Sequence, residues 1–126
     1  MKITGFRPLI ISSRSEEIVK LFEDLGFERR HKKTGINDED ISAVIMKDEN
    51  GFRVNVTQVD QMPKDMTSIA MNVDNFEEAY EFLTARGFKN AQGDKVTDTG
   101  SSKATMMVSP TGFSISLSQH IKKEDR

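Results

Sequence analysis

The order of apolar and polar positions predicts one strand, one helix and three further strands in the first half of the chain. Residues 3–12 are mainly apolar and predict the first strand. The helix follows, and its apolar positions recur at helical spacing: Ile18, Leu21, Phe22 and Leu25. Gly26 ends it, as a glycine in the left-handed conformation does. Residues 28–34 are charged and predict an edge strand, the apolar residues 41–47 predict an inner strand, and the alternating residues 52–57 predict a last strand with one buried face.

The second half of the chain repeats this order. Residues 68–73 predict a strand, and the helix after it carries an apolar stripe: Phe76, Ala79, Phe82 and Leu83. Gly87 ends this helix. The polar residues 90–102 predict a weak strand, and residues 103–108 and 113–117 predict two regular strands.

An offset of 61 residues superposes the two halves without a gap. It pairs identical residues in the helices, the turns and the strands: Glu16 with Glu77, Gly26 with Gly87, Ala43 with Ala104, Met46 with Met107, Gly51 with Gly112 and Gln58 with Gln119. Ser13 and Asp74 are also equivalent, and each precedes a glutamate by three residues, which is capping-box spacing at the start of a helix. The chain therefore contains two copies of one βαβββ module.

The repeat predicts an α+β fold in one domain, residues 1–121. Its modules span residues 2–59 and 67–121, with a linker at 60–66 and a charged tail at 122–126. Neither module is large enough to bury its own apolar faces, so we expect the two modules to share a core or an interface.

Composition narrows the function classes. The chain has 126 residues and a net charge of −2, which predicts no binding to nucleic acid or to a membrane surface through bulk charge. The cationic run at 28–34 leaves a local phosphate or nucleic-acid patch open as the alternative to an edge strand. Cysteine is absent, which excludes disulfides and thiolate chemistry. No apolar run has the length of a membrane span or a signal peptide, and we expect a cytoplasmic protein.

Two features carry a resemblance to a known family. They are the helix stop Leu-Gly-Phe at 25–27 and the turn Pro-Thr-Gly-Phe at 110–113, which leads into an alternating last strand. Within a βαβββ doublet they resemble the vicinal oxygen chelate superfamily, which includes glyoxalase I, bleomycin-resistance proteins and extradiol dioxygenases. The resemblance covers the chain except its tail. It implies curled mixed sheets around a cleft, helices packed outside and a homodimer, and it leaves open whether modules pair within one chain or between two.

The resemblance also indicates where a metal would bind. Enzymes of this superfamily commonly hold a divalent ion with His, Gln or Glu from the first and last strand of each module. Those positions correspond here to Arg7, Asn55, Ser68 and Ser116. Arginine keeps its proton and cannot ligate a metal, and the hydroxyl and amide groups are weak neutral donors. We therefore expect no metal and no cofactor, and the histidines His31 and His120 lie at none of these positions.

The strand alternation predicts which side chains face the cleft. They are Arg7, Leu9, Arg53, Asn55 and Thr57 in the first module, and Ser68, Asn72, Ser114 and Ser116 in the second. Two guanidinium groups near Asn55 suit a carboxylate, phosphate or sulfate. Alternatively, Arg7 and Arg53 pair with the acids of residues 38–40 or with a partner subunit. No carboxylate and no activated nucleophile falls on this face, so no catalytic residue is predicted.

Three functions follow from these observations. The sequence favours a non-catalytic binder of a small anionic or amphipathic molecule, of the bleomycin-resistance kind. One alternative is a metal-dependent lyase or oxidoreductase of the glyoxalase or dioxygenase kind with a non-standard site. The other is a structural or interaction dimer with a vestigial cleft.

Overall fold

The computed structural model describes residues 1–34 and 42–120, which contain nine strands and two helices. The strands are β1 (Ile3–Ser12), β2 (Glu28–Thr34), β3 (Ser42–Lys47), β4 (Arg53–Gln58), β5 (Met66–Val73), β6 (Lys89–Asn90), β7 (Thr97–Asp98), β8 (Ser102–Val108) and β9 (Ser114–His120). The helices are α1 (Ser15–Asp24) and α2 (Phe76–Thr84). Parallel and antiparallel strand pairs both occur, which confirms the predicted α+β class with mixed sheet.

The chain divides into two compact units, which we call the amino-terminal unit (Arg7–Ser68) and the carboxy-terminal unit (Met1–Phe6 with Ile69–Arg126). The first six residues thus cluster with the second module. The predicted organisation as one domain with modules at 2–59 and 67–121 stays a prediction. The acidic loop expected at 35–40 and the charged tail lie outside the described residues.

The amino-terminal unit has the strand order β2, β3, β4, β1, in which β4 and β1 are parallel. The charged strand β2 lies at the outer end of this order, as predicted for an edge strand. Helix α1 packs on one face, where the buried cluster consists of Val19, Val44, Met46, Val54 and Val56. The opposite face of β1 and β4 carries the residues predicted for the cleft.

The carboxy-terminal unit has the order β5, β9, β8, β6, and β7 pairs with β8 beside β6. Two short strands, β6 and β7, therefore replace the single weak strand predicted at 90–102, and Asn90 fixes the turn between them. Its side chain donates to the backbone oxygen of Lys95 (2.8 Å) and accepts from Thr105 Oγ1 (2.7 Å). Helix α2 covers a cluster that includes Met71, Phe76, Met107 and Leu117.

The helix starts differ from the predicted capping boxes. Helix α1 has Arg14 at its N-cap and no capping side chain, and α2 has Asn75, whose Oδ1 accepts from the backbone N–H of Glu78 (3.1 Å). Both caps thus lie one residue after the predicted Ser13 and Asp74. Phe52 and Phe113 begin the predicted strands at 52–57 and 113–117, but in the structure they precede β4 and β9 and are 66% and 52% exposed.

A pair of equivalent glutamines holds the helix starts instead. Gln58 Oε1 accepts from the backbone N–H of Ser15 (2.9 Å), and Gln119 Oε1 accepts from that of Phe76 (2.6 Å). Their amide nitrogens donate to the backbone oxygens of Ser13 (2.8 Å) and Asp74 (3.1 Å). Each last strand therefore satisfies the otherwise unpaired N–H group at the first residue of its helix.

Candidate anion-binding site

The backbone register of the amino-terminal unit brings the first five predicted ligand-binding residues to one face. Leu9 lies opposite Asn55 and Ile11 opposite Thr57 in the parallel pair β1 and β4. Because alternate residues of a strand share a face, Arg7 and Arg53 lie on this face too. Val54 and Val56 point to the other side, against α1. The sheet thus has one apolar face under the helix and one face with polar groups.

Arg7 is half-buried on this face, and its Nε atom is buried without a hydrogen-bond partner among the described residues. Burial lowers the pKa of the Arg7 guanidinium below its ordinary value, and the nearby positive charge of Arg53 lowers it further. Neither arginine takes part in an ion pair with another described residue. Two like charges therefore lie close together with no acid among the described residues to neutralise them.

Asn55 supplies a second unpaired atom. Its Oδ1 is buried and has no hydrogen-bond partner in the part of the chain that the structure describes, although the residue as a whole is half-buried. An unpaired buried donor or acceptor costs about 1–3 kcal/mol of stability. Such groups are rare in native proteins, and each one needs an explanation such as a bound molecule or a function.

Strand β3 adds one cation that the sequence analysis did not include. Lys47 lies opposite Arg53, and Ile45 lies opposite Asn55, in the antiparallel pair β3 and β4. Opposite residues share a face, so Lys47 joins the two arginines and Ile45 lies beside Asn55. The short turn after Lys47 sets this register, because the Asp48 backbone N–H donates to the Phe52 backbone oxygen (3.0 Å). The length of that turn in the sequence therefore indicates that Lys47 lies opposite Arg53.

The other four predicted ligand-binding residues lie on the strand pair β5 and β9. Ala70 lies opposite Ser116 and Asn72 opposite Ser118, so Ser68 and Ser114 share their face. Ser118 Oγ donates to Asn72 Oδ1, so the amide oxygen of Asn72 is satisfied within the protein. Ser68 and Ser114 are buried. This face is therefore neutral and composed of small side chains, and ligand binding by it remains a prediction.

The donor set at the superfamily's metal positions does not fit a divalent metal. The guanidinium of Arg7 has only N–H donors and no lone pair for a metal, and Asn55, Ser68 and Ser116 offer only neutral donor groups. Among the described residues there is also no cluster of three or more His, Asp or Glu side chains that could hold a metal elsewhere. His120 lies at the end of β9, opposite Ser102.

An open pocket of about 550 Å³ lies elsewhere in the amino-terminal unit, at the linker after β4. It is lined by Ser13, Asp60, Gln61, Met62 and Pro63, which include none of the predicted ligand-binding residues. None of these lining residues is a cation. Neither helix of the described chain has the length and apolar composition that a membrane span requires.

The sequence matches no protein-family model and no curated protein. Solved structures, in contrast, share its fold. Methylmalonyl-CoA epimerase from Mycobacterium tuberculosis is 14% identical, with a TM-score of 0.72 over 96% of this chain and 91% of that one. A glyoxalase/bleomycin resistance protein/dioxygenase superfamily member from Vibrio splendidus 12B01 is 18% identical, with a TM-score of 0.62 over 94% and 99%.

A third structure is a mutant of glyoxalase I from Zea mays, which is 15% identical with a TM-score of 0.69. The matched region spans 94% of this chain and 44% of the glyoxalase I chain. At such identities the likeness shows the fold and leaves the chemistry open. With two βαβββ modules and these structural neighbours, the chain has the vicinal oxygen chelate fold, as the sequence resemblance predicted.

Proposed function

We propose that this chain is a small-molecule binding protein of the bleomycin-resistance kind, which holds an anionic group against Arg7 and Arg53 without a catalytic metal. One observation carries the proposal: two like-charged arginines share a face with no acid among the described residues to pair with them. An anion would relieve their repulsion and would satisfy the Arg7 Nε–H group.

The apolar neighbours of the arginines favour an amphipathic ligand. Leu9 lies between Arg7 and Ile11 on the same face of β1, and Ile45 lies opposite Asn55. A carboxylate or phosphate on an apolar tail would therefore meet cations at its head and aliphatic side chains at its tail. Catalysis by the metal chemistry of the superfamily is disfavoured because the donor set does not fit a metal.

A double substitution tests the proposal. The probes are hexanoate and hexyl phosphate, titrated by calorimetry into the wild type and into the Arg7→Met/Arg53→Met variant. We expect binding to the wild type and at least a tenfold weaker affinity in the variant, because each charge-assisted hydrogen bond contributes about 1.5–3 kcal/mol. Arg86→Met is the matched control, since Arg86 lies at the end of α2 and stacks on Phe82.

The results separate the proposal from its alternatives. Equal affinity of wild type and double variant would overturn the assignment of the arginines. No binding of either probe, together with no small molecule in native mass spectra of the purified protein, would favour the structural dimer. The homodimer that the resemblance implies stays a prediction, which sedimentation velocity would test.

A further inference from the structure

The two unpaired atoms of the amino-terminal unit have opposite hydrogen-bonding character. Arg7 Nε–H is a donor and Asn55 Oδ1 is an acceptor, and both are buried with no partner in residues 1–34 and 42–120. They do not satisfy each other. A plain carboxylate or a sulfate has only acceptor oxygens, so it can pair with Arg7 and leaves the Asn55 oxygen unpaired.

The register shows how far apart the two residues lie on the sheet. Asn55 lies opposite Leu9, and Arg7 is two residues before Leu9 on the same face. Two residues along a strand correspond to about 7 Å and neighbouring strands lie about 4.8 Å apart, so the two Cα atoms are about 8 Å apart on the diagonal. The long side chain of Arg7 and the short one of Asn55 can therefore reach two neighbouring groups of one small molecule. Both residues are only half-buried, so part of each side chain is accessible from solvent.

From this complementarity we infer that the site takes an organic anion with a hydrogen-bond donor, a hydroxyl or N–H group, on the carbon next to its anionic group. The inference rests on the proposed function and specifies its ligand class. The anionic oxygen accepts from Arg7 Nε–H, and the adjacent donor satisfies Asn55 Oδ1. Leu9 and Ile45 then contact the remainder of the molecule, which is apolar.

The second module lacks this arrangement at the equivalent positions. Serines replace the arginines and the asparagine there, and the nearby Asn72 Oδ1 already accepts from Ser118. The unpaired donor and acceptor are thus a property of one face and do not follow from the fold, which the two units share.

A matched pair of probes tests the inference: 2-hydroxyhexanoate and hexanoate, which differ only in the hydroxyl. Calorimetric titration of the full chain is expected to give an affinity at least about tenfold higher for the hydroxy acid, since leaving a buried acceptor unpaired is costly. In Asn55→Leu the ratio of the two affinities is expected to fall to about one. Asn50→Leu, at an exposed turn position, makes the same chemical change and keeps the ratio.

Each outcome decides between the two proposals. Equal affinities for both acids in the wild type, with loss of both in Arg7→Met/Arg53→Met, would overturn this inference and leave the anion-binding function standing. Binding of neither acid would overturn both. A preference for the hydroxy acid that survives in Asn55→Leu would also overturn the inference. If Asn55→Leu does not fold, Asn55→Ser replaces it in the experiment. This substitution introduces the residue found at the equivalent position of the second module, Ser116.

Discussion

The two units share a scaffold and differ on one face of their strands. The scaffold keeps its contacts at equivalent positions: Gln58 and Gln119 hold the helix starts, and Met46 and Met107 are both fully buried. On the face away from the helix, the equivalent pairs are Arg7 and Ser68, Arg53 and Ser114, and Asn55 and Ser116. Packing and helix capping constrain the first set, whereas the second set differs between the modules, and it includes the residues of the proposed anion site.

The largest expected difference between the units concerns two equivalent glycines that end the helices. Gly26 and Gly87 have φ angles of 106° and 94°, which other residues rarely adopt. A Cβ atom at Gly87 would lie 2.9 Å from Pro110 Cγ, whereas one at Gly26 would meet nothing within 4 Å. We expect Gly26→Ala to cost about 1–2 kcal/mol in the free energy of unfolding and Gly87→Ala to cost more.

Denaturant unfolding measures both changes. The extra cost at Gly87 should diminish in the Gly87→Ala/Pro110→Ala double variant, because the clash is with the proline ring. Equal costs for the two single substitutions would show that the proline accommodates the added atom.

The glutamines test whether the shared contacts stabilise both units alike. Gln58→Leu and Gln119→Leu each leave a helix N–H group and a backbone oxygen without a partner. We expect each substitution to cost about 1–3 kcal/mol in the free energy of unfolding, measured by urea titration. A loss at one position only would contradict the equivalence of the two capping contacts.

The N-caps are a smaller asymmetry that a substitution can remove. Arg14 lacks the side-chain acceptor that Asn75 provides to the Glu78 N–H group. Arg14→Asn is expected to raise the free energy of unfolding by about 0.5–1 kcal/mol, and Asn75→Ala is expected to lower it by about 1 kcal/mol. If Arg14→Asn lowered stability instead, the ion pair of Arg14 with Glu17 would outweigh the missing cap.

The smallest expected effect depends on pH. Hydrogen bonding to Lys103 Nζ (2.6 Å) lowers the pKa of Glu77 below its ordinary value of 4.5. The stability from this exposed pair is therefore present above pH 4.5 and is lost as the pH falls through the lowered pKa. Glu77→Gln should give a slightly lower Tm than the wild type at pH 7 and the same Tm at pH 2. A difference that grows at low pH would contradict this assignment.

Sequence reasoning predicted the elements and the strand faces well because apolar periodicity and the repeat report directly on packing. The alternation of Val54 and Val56 with Asn55 predicts the two faces of β4. The predicted helix starts at Ser13 and Asp74 lie one residue too early. The long-range contacts of Gln58 and Gln119, which hold the actual starts, leave no local pattern in the sequence around these residues. Lys47 was missed because it joins the site through the register of β3. The unpaired atoms of Arg7 and Asn55 require coordinates, since no pattern of residue types shows which polar group lacks a partner.

The most direct test of the central claim replaces the polar residues on this face of the first module with their equivalents from the second module. The triple variant Arg7→Ser/Arg53→Ser/Asn55→Ser places the residues of the serine face at the equivalent positions. Calorimetric titration with hexanoate is expected to show binding by the wild type and an affinity at least about a hundredfold lower in the triple variant. Retention of the wild-type affinity by the folded triple variant would contradict an anion site at these residues.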